Sequence, residues 1–151
     1  MIRVQEIPFD TAAELAKLKS GNTDIGATCV FLGTVREMSG GASLEAMTLE
    51  HYPGMTEKAL VSIDEEAHAR WPLEASLVVH RYGRMEPGED IVLVITCSSH
   101  RQAAFESAQF LMDWLKTKAP FWKLEQGEGE SAGEWVDARE SDEDAAARWQ
   151  R

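Results

Sequence analysis

Hydrophobic and polar positions repeat with two different periods along this chain, which predicts a mixture of strands and helices. Alternating or continuous apolar runs predict strands at residues 2–7, 26–35, 44–51, 73–82, 91–98, 121–125 and 134–138. Helical spacing and helix-start signals predict helices at residues 11–19, 53–71, 99–119 and 141–149. Strands mixed with helices in this order are typical of the α+β class or of a compact α/β sandwich.

Two of these helices carry apolar stripes with defined ends. The stripe of the first contains Met55, Ala59, Ile63, Ala67 and Trp71. The stripe of the second contains Ala104, Phe105, Ala108, Met112 and Leu115. Pro72 and Pro120 stop the two helices, because proline disfavours helical backbone in the residue before it. The β-branched run at 26–35 predicts a central strand, and the glycine pair in residues 36–43 predicts a mobile loop.

Composition narrows the class of protein. With 151 residues, 44% hydrophobic and 27% charged, the chain is expected to form one domain over residues 1–151. It contains no apolar run of membrane-spanning length, and its first residues lack the apolar core of a signal peptide, so we expect a cytoplasmic protein with no membrane partner. The net charge of -11 argues against nucleic acid as a partner, because phosphate backbones repel an acidic surface.

The charge balance is reversed in one segment. Lys116, Lys118 and Lys123 lie within eight residues that contain no acid. Crowded cations repel one another unless an anion lies between them, so this segment is a candidate anion site. The alternative is that the first two lysines only complement the dipole at a helix C-terminus. Lys123 lies beyond Pro120, in a predicted strand whose neighbours Trp122 and Leu124 should point to the opposite face.

Two further basic elements lie at predicted strand ends. His100 and Arg101 follow a strand and begin a helix, where free backbone N–H groups favour anions. A histidine there is also a common helix-start residue, which leaves a structural role open. Arg36 lies at the exit of the strand at 26–35, beside the glycine loop. Strand ends near a helix N-terminus are common places for binding sites.

Other chemistry is disfavoured. Cys29 and Cys97 lie in apolar runs without metal-ligand spacing, and we expect buried free thiols. The histidines and carboxylates show no zinc or iron spacing, and phosphate-loop or dinucleotide fingerprints are missing from the sequence. We therefore expect neither a metal nor a cofactor.

Four segments in order resemble one known family. They read Leu-Glu-His-Tyr-Pro-Gly-Met-Thr-Glu-Lys-Ala-Leu at 49–60, Ser-His-Arg at 99–101 followed by Ala104-Phe105, the lysine segment at 116–125, and Trp-Val-Asp-Ala-Arg-Glu-Ser-Asp at 135–142. The chain resembles the molybdopterin synthase catalytic (large) subunit family from about residue 26 to residue 149.

The resemblance implies a fold, a reaction and partners. The fold would be an α/β hammerhead-like domain with an additional small β subdomain. The reaction would move sulfur from the thiocarboxylated C-terminal Gly-Gly of a small ubiquitin-like subunit to cyclic pyranopterin monophosphate, forming the dithiolene of molybdopterin in molybdenum cofactor biosynthesis. Two copies of this chain would form a homodimer within a heterotetramer, with a small subunit at each end.

The resemblance also implies site residues. The positions that would contact substrate are Thr34, Val35, Arg36, His100, Arg101, Lys116, Lys123, Leu124 and Glu125. Lys116 and Lys123 would be catalytic, and Arg139 would have a supporting role. We expect Lys116 to position the thiocarboxylate and shuttle protons, and Lys123 to stabilise developing charge. Glu37 departs from the Asp or Asn that the family often carries after Arg36.

Two other functions remain open from the sequence. One is a sulfurtransferase that carries a persulfide on Cys97, three residues before His100. The other is a module that binds the tail of a ubiquitin-like protein without catalysis. The first requires the thiol, and the second requires a groove for an extended tail but no pterin pocket.

Overall fold

The α+β class predicted from the sequence is confirmed by a computed structural model that describes residues 1–39, 42–127, 134–136 and 139–150. The strands in this part are β1 (Ile2–Gln5), β2 (Ala27–Thr34), β3 (Met38–Ser39), β4 (Ala42–His51), β5 (Leu73–Arg81), β6 (Gly83–Met85), β7 (Asp90–Ser98), β8 (Phe121–Gly127) and β9 (Glu134–Val136). The helices are α1 (Thr11–Lys19), α2 (Met55–Arg70), α3 (Arg101–Thr117) and α4 (Glu140–Ala147), and a 3-10 turn (Arg148–Gln150) follows α4.

The first sheet has the strand order β1-β5-β7-β2 and carries helices on both faces. β5, β7 and β2 are antiparallel, and β1 joins β5 in parallel. On one face, Ile63 of α2 and Leu111 of α3 pack against Val78 and Val94 of the sheet. On the other face, Leu15 of α1 packs with the strand residues that point the opposite way. The near-continuous apolar sequence of β7 follows from this two-sided burial.

The second sheet forms a small β unit beside the first. β4 pairs with β3, β6 and β8, and β9 pairs with the outer side of β8. Its core consists of Val35, Leu44, Met47, Leu49 and Met85. The register places Lys123 of β8 opposite Leu49 of β4. The end of α3 and the start of β8 therefore connect the two sheets.

The structure corrects the position of the strand at 26–35. β2 is an edge strand of the first sheet, not a central one. Among the described strands, β7 is its one neighbour in this sheet, and the other side of β7 pairs with β5. Val30, Phe31 and Leu32 are each 40% exposed. An apolar run shows that a strand prefers burial, but it does not show how many strands pair with it.

The helical stripes are also corrected. The buried residues of α2 are Thr56, Leu60, Ile63 and Ala67, while Met55 is exposed. In α3, Ala104 and Met112 are buried as expected, but Phe105 is exposed. A strict spacing of four rotates around a helix of 3.6 residues per turn, so the real stripe alternates steps of three and four.

Two short strands, β3 and β6, were not predicted from the sequence. Residues 36–43 were expected to form a mobile loop, but Met38–Ser39 pairs with β4, and Gly40 and Gly41 lie outside the described residues. β6 has three residues, too few for a period to show. Among the described residues, none of the helices combines the length and apolar character needed to cross a membrane.

Replacement of Leu111 by alanine should destabilise the protein by about 2–5 kcal/mol, because the side chain is fully buried between α3 and the first sheet. Leu32→Ala is the matched control, since the same atoms are removed from a side chain that is 40% exposed. Urea denaturation of both variants measures the difference. Equal losses would show that α3 does not pack on the sheet as described.

Candidate active site

A cavity of about 620 Å³ lies where the end of α3 meets both sheets. Arg36, Lys116, Lys123 and Arg139 all line it. We call this cavity the basic hollow. The local sequence explains its position, because α3 stops at Thr117 and Pro120 turns the chain into β8. The last helical turn and the new strand thus place two lysines on one cavity, although six residues separate them in the sequence.

The cations of the basic hollow act on one another. Burial is the main cause that lowers the pKa of Lys123, and the charges of Lys116, Arg139 and Arg36 lower it further. Glu125 opposes this shift, with its Oε1 3.9 Å from Nζ of Lys123. Because folding disfavours the charged lysine, folded stability increases with pH between the lowered pKa and 10.5. An anion in the hollow would relieve the same repulsion.

The floor of the basic hollow is apolar. Val35, Leu44, Met47 and Leu49 from the core of the second sheet line it, and Met112 contributes from α3. Ligand sites commonly combine an apolar wall with a few charged groups that fix orientation. The hollow therefore suits a ligand with an apolar body and anionic groups.

An aromatic seam, formed by His51, His80, Tyr82 and Phe121, reaches the hollow through His80 and Phe121. The rings of His80 and Phe121 are stacked, with centroids 4.0 Å apart and planes inclined by 21°. His51 lies against Tyr82, with centroids 4.3 Å apart. Burial lowers the pKa of His80 to about 4, so the ring is neutral at neutral pH. His80 lines the hollow, which the sequence analysis did not foresee.

The chain matches one family model over residues 4–118, and the description of that model is MoaE protein. This match covers more than half of the chain. The protein belongs to the MoaE family.

Full-length relatives support the same placement. The molybdopterin synthase catalytic subunit of Pseudomonas aeruginosa is 53% identical over 150 residues, which cover 99% of this chain and 98% of the relative. The subunit of the same name from Escherichia coli K12 is 52% identical over 143 residues, 94% of this chain and 93% of that protein. The family resemblance found in the sequence is thereby confirmed.

Solved structures share the fold. A molybdopterin biosynthesis MoaE protein from Burkholderia ambifaria has a TM-score of 0.83 and 51% identity, and the match covers 99% of this chain and 97% of that one. Molybdopterin synthase from Staphylococcus aureus has a TM-score of 0.79 and 30% identity, with 89% and 95% covered.

Within this MoaE-family chain, the basic hollow gathers six of the nine positions named from the resemblance. They are Thr34, Val35, Arg36, Lys116, Lys123 and Glu125. Val35 is anchored by backbone hydrogen bonds, since its N–H donates to Glu89 and its carbonyl accepts from Gly88. The hydroxyl of Thr34 donates to Asp90 at 2.9 Å. Their roles toward a substrate remain predictions.

His100 and Arg101 are not residues of this hollow in the single chain. They lie at the first turn of α3 and Lys116 lies at its last turn. At 1.5 Å per residue, Arg101 and Lys116 are about 22 Å apart along the helix axis. A hollow of one chain that gathers all five of the predicted basic residues is therefore wrong, although a role of His100 and Arg101 toward substrate stays a prediction.

One of the two neighbours of Lys123 in β8 departs from the expectation that both point away from the hollow. Leu124 is not a lining residue, as strand alternation predicts, but Trp122 lines the rim and is 45% exposed. A large side chain can reach around the edge of a strand, so alternation alone did not exclude it. The contact of Leu124 with substrate stays a prediction.

The C-terminal segment completes the rim. Arg139, Ser141 and Asp142 line the hollow at the start of α4. Trp149 anchors this segment, because its Nε1 donates to Asp113 at 2.7 Å and its ring packs edge-on against Phe110. No local sequence pattern signals this anchor, since the contact partners are 36 positions or more apart.

No three His, Cys, Asp or Glu side chains of the described residues lie close enough to hold a metal ion. The expectation of no metal and no cofactor stays a prediction. Lys118 caps the C-terminus of α3 and is not a lining residue of the basic hollow.

Replacement of Lys116 by methionine should raise the pKa of Lys123, because the charge of Lys116 is the strongest electrostatic cause that lowers it. The value should remain below 10.5, since burial persists. An NMR pH titration of lysine side chains measures the change. Lys118→Met is the matched control, and an equal rise in both variants would show that the lowering is not local to the hollow.

Proposed function

We propose that this chain is the catalytic subunit of a molybdopterin synthase, which transfers sulfur from a thiocarboxylated small subunit to cyclic pyranopterin monophosphate. The observation that carries the proposal is the basic hollow, where two lysines and two arginines surround an apolar floor. Relatives named molybdopterin synthase catalytic subunit span nearly the whole chain, which supports the same reaction.

The charge of the hollow matches the two reactants. A cyclic phosphate and a thiocarboxylate are both anions, and bringing them together costs free energy unless cations are already in place. Arginine can hold a phosphate through paired hydrogen bonds, while a lysine ammonium acts as a movable point charge. The apolar floor would hold the ring system of the pterin.

In the proposed reaction, the thiocarboxylate sulfur attacks a carbon of the precursor that carries an oxygen. At each of the two transfers the new C–S bond replaces that C–O bond, and the oxygen keeps the bonding electrons and leaves as an oxygen of the opened phosphate or, after protonation, as water. Water then cleaves the bond between that sulfur and the acyl carbon of the small subunit, which leaves as a carboxylate. The sulfur remains on the pterin, and a second transfer completes the dithiolene. Proton transfers accompany both steps, so a lysine that readily loses its proton is useful in the hollow.

We assign proton transfer to Lys123 and not to Lys116, for which the sequence analysis expected it. The pKa of Lys123 is lowered by its burial and by its cationic neighbours, which brings its neutral form closer to working pH. Lys116 is exposed at the rim, where a partner's tail would enter, and we assign it to the thiocarboxylate. Both lysines would also stabilise negative charge that develops during transfer.

The assembly we propose is a homodimer of this chain with one small subunit at each end, in the cytoplasm. If His100 and Arg101 contact the same substrate as the basic hollow, they must come from the other copy, because α3 separates them from Lys116 within one chain. In a symmetric pair, each copy would supply the last turn of its α3 to one site and the first turn to the other site.

The persulfide alternative is disfavoured by the position of its thiol. Cys97 is fully buried in β7, and its Sγ accepts a hydrogen bond from Thr28 at 3.6 Å. A sulfur carrier has to be reached by its donor. Product formation distinguishes the two remaining hypotheses, because a noncatalytic binding module would form no dithiolene.

Reconstitution with the thiocarboxylated small subunit and cyclic pyranopterin monophosphate should yield the dithiolene product. Lys123→Ala and Lys116→Ala should each slow single-turnover formation by about 100-fold or more, as expected when a proton-transfer group or an electrostatic stabiliser is removed. Lys118→Ala at the same helix end should retain the rate. Wild-type protein that binds the small subunit but forms no product would support the binding module instead.

A mixture of Arg101→Ala and Lys123→Ala chains should recover activity that neither variant has alone. Random exchange of the chains should restore about a quarter of the wild-type sites, because half of the pairs are mixed and each mixed pair has one intact site. Single-turnover product formation after co-refolding measures the recovery. No recovery, with mixed pairs verified by mass spectrometry, would show that both residues do not meet across two copies.

A further inference from the structure

His80 is the buried polar side chain at the floor of the basic hollow for which the proposed function has no use. It lies in β5, is 8% exposed and lines the hollow. The charges of Lys116 and His51 act on it, and its ring stacks on Phe121.

The hydrogen bonding of His80 determines which nitrogen carries the proton. Nδ1 lies 2.9 Å from the carbonyl oxygen of Arg81. A carbonyl oxygen only accepts, so Nδ1 carries the hydrogen and donates it. The ring is neutral because burial opposes its protonation. Nε2 is then an unprotonated nitrogen with a free lone pair.

The lone pair of Nε2 has access to the hollow. In the part of the chain that the structure describes, no hydrogen bond is formed by Nε2 of His80, and the buried polar side-chain atoms without a partner all belong to Arg3. Nε2 is therefore unpartnered but not sealed off. His80 is a lining residue and is otherwise buried, which points to an opening of Nε2 into the hollow.

Most charged groups of the hollow are hydrogen-bond donors. Its four cations can only donate hydrogen bonds. Glu125 and Asp142 are charged acceptors, and the carboxylate of Glu125 faces Lys123, while the hydroxyl of Thr34 donates to Asp90. His80 thus presents a neutral acceptor in a cavity rich in donors. Such an acceptor discriminates strongly, since a ligand that cannot donate leaves it unpaired in a buried place.

We propose that Nε2 of His80 accepts a hydrogen bond from an N–H group of the heterocyclic part of the substrate and so selects a pterin over a simple phosphate. The cations hold the anionic groups of the ligand, and His80 identifies the ring that carries them. This inference rests on the proposed function for the class of ligand, but it concerns binding and not the transfer of sulfur.

Two variants separate the acceptor from the structural role of the ring. His80→Asn places an amide N–H near Nδ1 and can keep the bond to Arg81, but it removes the acceptor at Nε2. His80→Gln places an amide oxygen near Nε2 and keeps an acceptor, but it loses the bond to Arg81. Isothermal titration with pterin-6-carboxylate, and with phenyl phosphate as a ligand without N–H donors, compares the two.

The expected result is a loss of affinity for pterin-6-carboxylate of about 10-fold or more in His80→Asn, because a ring donor is left without a partner. His80→Gln should stay within about threefold of wild type, and phenyl phosphate should bind all three proteins alike. Unchanged pterin binding in His80→Asn, or an equal loss for both ligands, would overturn the inference in favour of a packing role.

A measurement on the wild-type protein avoids any effect of substitution on folding. With ¹⁵N-labelled histidine, the Nε2 resonance of His80 should move when pterin-6-carboxylate is added and stay in place with phenyl phosphate. No movement, or no binding of the pterin at all, would overturn the inference. A failure of dithiolene formation in reconstitution would reject the proposed function alone and leave this binding result standing.

Discussion

The packing of α3 against the first sheet is the constraint on which the site depends. Leu111 and its neighbours are buried against Val94, and each such side chain contributes about 1.5–3 kcal/mol through its burial. This contact fixes the axis of α3, and Pro120 then fixes where the chain leaves it. The last helical turn and the start of β8 take their positions from that axis. The basic hollow is therefore held by core packing that lies outside it.

The core packing offsets the free-energy cost of keeping cations close together in the basic hollow. Burial and neighbouring cations both disfavour the charged form of Lys123, so the hollow is less stable empty than filled with anions. Functional sites commonly retain such unfavourable arrangements because activity requires them. The neutral ring of His80 limits this cost, since a charged imidazolium would add to the repulsion among the lysines and arginines. The hollow combines cations at its walls with an uncharged acceptor at its floor.

The sequence predicted the long elements and part of the site. Strong apolar patterns located β5, β7, α2 and α3, and the proline after Ala119 correctly separated Lys116 from Lys123. Patterns along the chain could not show that β2 lies at an edge, because pairing is a property of the whole sheet. Nor could they place His80 beside the lysines or Trp149 beside Asp113, since these contacts join distant segments. The prediction that His100 and Arg101 lie beside Lys116 in one chain was wrong for a simpler reason. The length of α3 separates its first turn from its last.

The contrast between the acidic chain and the basic hollow has a consequence for cellular selectivity. The net charge of -11 gives the protein a field that repels small free anions before they reach the cavity. Nucleotides and inorganic phosphate, which are abundant competitors, would encounter that outer barrier. An anion at the end of a docked protein tail avoids it, because docking replaces diffusion from bulk solvent by a high effective concentration. The net charge thus favours a sulfur donor that arrives on a carrier over free anions, whereas the proposed precursor, itself a free anion, has to be attracted by the cations of the basic hollow.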